Sequence, residues 1–375
     1  TPETVKKLIA LGAEVAVETG AGLNSRITDD AYEAAGAQLV SDLGELLGNA
    51  DVVLKVQRPL LGKCDGGKGD GEESEAPDEL SLMKKGALLI ASLSPYADPE
   101  ALKRYAEAGI TALAMEFVPR ITRAQSMDVL SSQSNLAGYR AVLEAAYIYD
   151  RAMPMMMTAA GTVAPARVMV LGAGVAGLQA IATAKRLGAI VSATDVRSAA
   201  KEQVESLGGK FVMVEDEDGA EAETAGGYAK EMSEDYQKRQ AKLVADTLKK
   251  QDIAICTALI PGRKAPTLIN DEMVHSMRPG SVIVDLAAEQ GGNCTLSKLG
   301  EVVEVNGVSI IGHHNIPSRL SADASQLYAK NLLNYLTPLI DAENKTLAVD
   351  WEDEIVAATL LTRDGQVVHS AFQTQ

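Results

Sequence analysis

Three cysteines, four histidines, one tryptophan and three phenylalanines are spread over 375 residues, and each scarcity removes a class of function. Cys64, Cys256 and Cys294 stand far apart without metal-ligand spacing. That argues against a disulfide scaffold and a zinc module, and fits a reducing compartment. The histidines form no metal motif; His313 and His314 are adjacent, and adjacent residues of a strand face opposite ways. No apolar run approaches the ~20 residues of a membrane helix, and the chain does not open on a signal peptide, so no direct membrane span is expected. Cations are also in deficit, 35 Lys and Arg against 51 Asp and Glu, for a net charge of −16. Bulk charge therefore disfavours nucleic acid or anionic lipid as a partner, and any phosphate site must be local.

What is present is apolar and patterned. The chain is long enough for two domains with sizeable cores, and 46% hydrophobic with 23% charged residues is ordinary for a globular protein. Arg167 to Asp195 reads as strand, glycine turn, helix and second strand. The apolar run Val168–Leu171 suits a strand buried on both faces, and Gly172, Gly174 and Gly177 supply G-x-G-x-x-G. Gly172 permits the tight turn, Gly174 lets a pyrophosphate approach the backbone, and Gly177 lets the helix over 175–187 pack close to the strand. The helix begins at Val175 and aims free N–H groups and its positive dipole end at the phosphates. Asp195 ends the next strand, where a carboxylate accepts hydrogen bonds from a ribose 2′-OH; a free 2′-OH means NAD, not NADP.

The chain before this stretch opens with a helix from Thr1-Pro2-Glu3 to Gly12. Strand candidates follow at 14–18, 38–40, 52–56, 87–91 and 111–115, mostly with helical segments between, so residues 1–116 read as parallel βαβ units. Residues 62–79 read as a solvated acidic surface loop without chemistry. Pro119 to Ser134 reads as a polar loop feeding a connecting helix at 135–150. In that loop Arg120 and Arg123 suit phosphate or carboxylate and Gln125 suits a carboxamide, while capping and mutual pairing account for the same residue types equally well. Met153 to Met157 reads as a soft packing surface, and Thr158 to Ala166 as a small-residue linker.

After Asp195 come a helix at 198–207, a strand at 210–214 and a long acidic, glycine-containing loop at 215–232 that suits a mobile lid. A helix at 233–250, a strand at 252–256, the turn at 258–262, a helix at 267–277, the strand 281–285 and the glycine loop at 289–293 follow. A strand at 308–312, a return helix at 323–340 and strands around the turn Asp364-Gly365 complete the chain. The expected organisation is α/β, with two Rossmann-like parallel-sheet domains. Residues 1–134 and 341–375 form the first, 151–322 the second, and the helices at 135–150 and 323–340 join them.

The runs RITRAQSMDVLSSQSNLAGYRA, ETAGGYAKEM, TALIPG and DLAAEQGGNC, joined to the glycine fingerprint, carry a resemblance over nearly all of the chain. It resembles the NAD(H)-binding domain I, carried on the alpha subunit, of proton-translocating nicotinamide nucleotide transhydrogenase, a family that shares its fold with alanine dehydrogenases. The resemblance implies two Rossmann-like domains with NAD(H) in the cleft between them, and Arg120, Gln125, Asp128 and Ser131 around the nicotinamide, Gln125 foremost. It assigns Gly172, Gly174, Val175 and Gly177 to the pyrophosphate, and Asp195, Val196 and Arg197 to the adenosine ribose. Gly227 and Tyr228 fall on the mobile loop, with Gln240 and Leu259 as further contacts. It also implies direct hydride transfer to NADP(H) on a separate domain III, docking on a membrane domain II, a homodimer, and a peripheral place on the cytoplasmic face of a bacterial inner membrane, or the matrix side in mitochondria.

The family begins with a strand and an arginine-containing loop that Thr1 would directly follow, and the 62–79 loop is longer than the family pattern. Two rival readings are an alanine dehydrogenase-like oxidoreductase and a non-enzymatic NAD-binding module. The first needs a lysine and a histidine, and Gln57-Arg58-Pro59 and Ser92 stand where that family carries them.

Overall fold

The computed structural model describes residues 1–62, 77–214, 233–260 and 262–373. The chain divides into two compact units, one made of Thr1–Ser132 with Ser321–Gln375 and the other of Gln133–Leu320. It passes from the first to the second inside the helix Val129–Ile148 and returns at the start of the helix Ser321–Leu336.

The second unit is built on a seven-stranded sheet, ordered Lys210–Phe211, Ile190–Thr194, Arg167–Leu171, Ile253–Cys256, Val282–Asp285, Val308–Ile311 and Val302–Val305. Every neighbouring pair is parallel except the last two strands, which form an antiparallel pair at the edge. The central strands are buried on both faces, and their alternation sorts side chains into two cores. Val168, Val170, Ile253, Ile255, Val282 and Val284 point to one core. Met169, Leu171, Ala254, Cys256 and Ile283 point to the other. Each large apolar side chain so buried contributes about 1.5–3 kcal/mol relative to exposure.

From Arg167–Leu171 the chain winds outward in one direction to Lys210–Phe211, then crosses to Ile253–Cys256 and winds the other way. The order therefore reverses beside the glycine turn, and in open α/β sheets the crevice at such a switch point, at the carboxyl ends of the strands, is where ligands bind.

The first unit has a five-stranded sheet, ordered Gln366–Val367, Leu360–Arg363, Thr111–Ala114, Leu88–Ser92 and Val52–Gln57. The last three are mutually parallel, and Leu360–Arg363 runs antiparallel to Thr111–Ala114. Leu89, Ala91, Ala112 and Ala114 face one core, Ile90 and Leu113 the other. The strands Ala16–Glu18 and Gln38–Val40 pair in parallel in a sheet of their own.

Several expectations need correction. The polar run at 119–134 is not all loop, because the helix starts at Val129, where Asp128 accepts a hydrogen bond from Ser131 N at 2.9 Å and so caps it. The strand expected at 210–214 keeps only Lys210–Phe211. The linker expected at 158–166 contains an antiparallel hairpin, Met156–Thr158 with Gly161–Val163, on which Met155, Met156 and Met157 are exposed while Met153 is buried. The helix Glu354–Thr359 and the strand Leu360–Arg363 fill a stretch before the turn Asp364-Gly365 to which the sequence assigns no element.

The 62–79 stretch lies mostly outside the described residues, but its end is no solvated loop. Glu79 is buried, takes Lys55 Nζ at 2.5 and 2.6 Å, and accepts from Leu60 N at 2.8 Å. The cation and the backbone donor together satisfy both oxygens of this buried carboxylate.

Candidate functional site

Two clusters of expected site residues are described, one in each unit. In the second unit the strand Arg167–Leu171 ends in Gly172, whose φ is +101°. A methyl group there would sit 2.6 Å from Thr257 Oγ1, so glycine is required for conformation and for space. Gly177 lies in the first turn of the helix Val175–Arg186, and a methyl there would fall 1.9 Å from Gly172 O. Helix and strand are thus packed backbone to backbone. Gly174 is the helix N-cap, and a methyl on it would meet nothing within 4 Å. The space over that position, faced by the unbonded N–H groups of the first turn, suits an anionic group. Val175 opens the helix, 36% exposed.

Asp195 stands beyond the neighbouring strand and reaches back to the turn. Its Oδ2 accepts from Ala173 N at 2.7 Å and from Arg197 Nη2 at 3.0 Å. Its Oδ1 accepts from Arg197 N and Nε, both at 2.9 Å. The carboxylate is 8% exposed. Val196 is half-buried beside it. Gln240, on the helix Glu234–Leu248, donates from Nε2 to Thr194 Oγ1 at 2.6 Å. Its Oε1 is buried with no hydrogen-bond partner among the described residues. A buried orphan acceptor beside the end of the second strand, an open approach to the backbone at Gly174 and the Asp195 carboxylate bonded to the turn fit the adenosine and pyrophosphate parts of a dinucleotide. Leu259, 40% exposed, follows the strand Ile253–Cys256 at the same carboxyl ends. Gly227 and Tyr228 lie outside the described residues.

The loops around this turn are held by residues that sequence reasoning passed over. Asp285 is almost fully buried and accepts from Ala287 N at 3.0 Å, Asn293 N at 3.1 Å and Cys294 N at 3.0 Å. Asn293, fully buried, joins the two loops after the strands: it accepts from Ala258 N at 3.1 Å and donates to Ala258 O and Pro266 O at 2.9 and 2.8 Å. Thr257 Oγ1 donates to Gly172 O at 3.0 Å. Gly138, on the helix Val129–Ile148, faces the first turn so closely that a methyl would be 2.0 Å from Ala176 O. Its sequence signal was a glycine inside a strongly helical run.

Cys256 and Cys294 lie in the same unit as buried free thiols. Burial pushes the Cys294 thiol up to about 11 and the Cys256 thiol well above its ordinary value. His313 and His314 turn to different acids, His313 Nε2 lying 3.8 Å from Glu144 and His314 Nδ1 3.9 Å from Glu289.

In the first unit the expected loop is a 3-10 turn, Thr122–Met127. Ala124 and Met127 are buried in the core with Tyr328, Leu332 and Tyr335, which leaves Gln125 exposed between two anchors. Asn331 and Asn334, on the helix Ser321–Leu336, both donate from Nδ2 to Ser126 O, at 2.9 and 3.0 Å. Arg123 pairs with Asp353 at 2.8 and 3.0 Å and with Glu354. The pairing holds Asp353 below, and Arg123 above, their ordinary pKa values. Asp128 and Ser131 are joined side chain to side chain within the helix cap. Arg120 is exposed at the start of the turn. In this state, then, Arg123, Asp128 and Ser131 do structural work, and Gln125 is presented.

Gln57 and Ser92 are register partners at the carboxyl ends of their strands. Ser92 N donates to Tyr328 Oη at 3.0 Å, and Tyr328 Oη donates to Lys55 O at 2.9 Å. Burial pushes Tyr328 up to about 12. Glu116, whose pKa is raised by burial, accepts from Leu93 N and Ser94 N.

A parallel sheet whose strand order reverses beside a glycine turn, with a carboxylate at the end of the adjoining strand, defines the Rossmann class of α/β proteins. The sequence matches the alanine dehydrogenase/PNT N-terminal domain over residues 1–137 and the C-terminal domain of the same name over residues 141–370, and the chain belongs to this family. It is 59% identical, over 100% of its length and 95% of the relative's, to an NAD(P) transhydrogenase subunit alpha chain of Rhodospirillum rubrum. A solved transhydrogenase structure from Sinorhizobium meliloti is similar with TM-score 0.84 and 54% identity, over 98% of this chain and 95% of that one. An L-alanine dehydrogenase structure is similar with TM-score 0.80 and 27% identity, over 100% and 93%.

Proposed function

We propose that the chain is the NAD(H)-binding component of a proton-translocating transhydrogenase, acting in direct hydride transfer between NAD(H) and NADP(H) held by a partner domain III. The observation that carries this reading is the full-length likeness to transhydrogenase alpha subunits, in a chain with an amide and a hydroxyl, Gln57 and Ser92, where alanine dehydrogenases carry lysine and histidine. Oxidation of an amino acid needs a group that takes a proton near neutral pH. Tyr328, beside Ser92, titrates near 12, and the Glu116 carboxylate is engaged by two backbone N–H groups. Hydride transfer between nicotinamides needs no such group.

When bound, NADH supplies a hydride that leaves C4 with its electron pair and joins C4 of NADP⁺, giving NAD⁺ and NADPH without proton transfer. The work of the chain is then binding and orientation. The turn at Gly172, Gly174, Val175 and Gly177 holds the pyrophosphate, and Asp195, Val196, Arg197 and Gln240 hold the adenosine end, with Leu259 as a further contact. Arg120, Gln125, Asp128 and Ser131 serve the nicotinamide end; Gln125, exposed between buried Ala124 and Met127, orients the carboxamide. Gly227 and Tyr228 belong to the same reading as the flap. No described helix is long and apolar enough to cross a membrane, and the proposed place is peripheral, on a membrane domain II at the cytoplasmic or matrix face. A homodimer is part of the proposal, and the exposed methionines of the 156–163 hairpin, with Tyr147 at 87% exposure, offer an apolar surface for it.

The test is stopped-flow transfer from NADH on this chain to an NADP analogue on an added domain III. Gln125→Asn should slow transfer by about 10²-fold, as a misplacement of the reacting ring of about 1 Å does, with NADH affinity nearly unchanged. A variant that loses binding and keeps its transfer rate would remove Gln125 from the role. Reduction of NAD⁺ by alanine would favour the alanine dehydrogenase reading instead.

A further inference from the structure

Asp195 and Arg197 are two residues apart and face each other. The guanidinium donates to both carboxylate oxygens, Nε to Oδ1 at 2.9 Å and Nη2 to Oδ2 at 3.0 Å, while Arg197 N adds a second bond to Oδ1 and Ala173 N a second to Oδ2. Each oxygen thus receives two donors, and the Nε–Nη2 edge of the guanidinium is committed to this carboxylate. Both side chains are largely buried, the arginine 19% and the carboxylate 8% exposed, so the pair is a fixed part of the wall and not a solvated contact. The Ala173 bond ties this pair to the glycine turn itself.

We propose that Arg197 is a second determinant of nucleotide choice: a guanidinium able to take a 2′-phosphate is held out of use by Asp195. One carboxylate then excludes NADP(H) twice, by repelling the phosphate and by occupying the cation that would bind it. This rests on the reading of the second unit as an NAD(H) site. In Rossmann sites an acid at the end of the second strand takes the ribose 2′-OH, and an arginine nearby accommodates a 2′-phosphate. Here both are present, and the geometry decides which is expressed. The fork of Arg197 matches a phosphate as well as it matches a carboxylate, since both present paired oxygens to parallel N–H groups. For a transhydrogenase the discrimination carries weight, because a component that accepted both nucleotides would transfer hydride between like pairs without net reaction.

The test is calorimetric titration of the full chain with 5′-AMP and with adenosine 2′,5′-bisphosphate, which differ only in the 2′-phosphate. In Asp195→Asn the side-chain oxygen still accepts from Ala173 N while the charge and one acceptor are lost. This variant should bind the bisphosphate tighter than wild type by about tenfold or more, the worth of one charge-assisted hydrogen bond, and 5′-AMP more weakly. The double variant Asp195→Asn/Arg197→Met should lose that gain. Arg197→Met alone leaves the carboxylate with backbone donors only and no neutralising cation, and should weaken bisphosphate binding several-fold below wild type, a readout that serves if Asp195→Asn does not fold. A gain that survives in the double variant, or no gain in either, overturns the proposal. If wild type binds neither NADH nor 5′-AMP, the NAD(H) reading itself fails and takes this inference with it, which the wild-type titration alone reveals.

Discussion

Gly174 and Gly177 sit three residues apart in one motif, yet the geometry gives them separable jobs, and substituting each by alanine tells folding from binding. At Gly177 the new methyl would lie 1.9 Å from Gly172 O and 3.2 Å from Thr257 Oγ1. The nearer atom is a backbone carbonyl that cannot rotate away, so helix and strand must separate by about 1.5 Å or more to reach a normal contact. Overpacking costs about 1–3 kcal/mol, more where backbone must shift, against about 1 kcal/mol gained from alanine's helix propensity. The net is a loss, and at about 2–4 °C per kcal/mol for a unit of this size the melting temperature should drop by several degrees. At Gly174 the methyl meets nothing within 4 Å, and φ −76° with ψ −167° is open to alanine. Alanine is a poorer N-cap than glycine by up to about 1 kcal/mol, and the stiffer unfolded chain returns about 0.4–1 kcal/mol. Gly174→Ala should therefore melt within about a degree or two of wild type. The methyl stands in the path of the pyrophosphate, however, and NADH affinity should fall by at least tenfold, a loss of about 1.4 kcal/mol. Circular dichroism melts and NADH fluorescence titrations on both variants read the two effects separately. Wild-type NADH affinity in Gly174→Ala would show that no phosphate approaches there, and wild-type stability in Gly177→Ala would refute the close approach of helix and strand.

Two further outcomes follow from buried groups. Asp285→Ala strands three backbone donors, Ala287, Asn293 and Cys294, and should cost about 3 kcal/mol or more in urea unfolding; a loss under about 1 kcal/mol would mean the loops find other acceptors. His369 packs against Phe117 and Phe372, with ring centroids 5.0 and 5.5 Å away, and burial lowers its pKa below 6.5 in the folded state, as burial also does to His313. The unfolded chain then binds the proton more tightly, so stability is full above pH 6.5 and falls as pH drops through 6.5 toward the folded value. Urea unfolding at pH 7.5 and pH 5.5 should show His369→Gln losing less on acidification than wild type; equal losses would remove His369 as a source.

The glycine turn and the strands of the second unit were readable because each depends on a local rule. A strand buried on both faces is an apolar run, and a close backbone approach demands glycine. Residues whose work depends on distant partners gave no such signal. Asp128 and Ser131 lie in a polar run that suits a binding loop and a helix cap equally, and nothing before residue 129 announces that a helix begins there with Asp128 as its cap. Glu79 ends an acidic stretch that looks solvated until Lys55, 24 residues earlier, is seen beside it. Asp285 and Asn293 look like ordinary loop residues, and only the parallel register that brings their loops together makes them a buried network. Leu360–Arg363 could not be assigned to the first sheet from its own residues, since its partner strand, Thr111–Ala114, is about 250 positions away.

The grip of Asn331 and Asn334 on Ser126 O joins residues 205 and 208 positions apart. The turn that presents Gln125 is therefore not a local property of the RITRAQS run, and grafting that run alone into another protein would transplant the letters without the shape. Genetic lesions at 331 or 334 should likewise be mistaken for lesions in the turn, and a proteolytic cut that releases the chain beyond Ser321 would disarm Gln125 while leaving the glycine turn and every hydrogen bond of Asp195 in place.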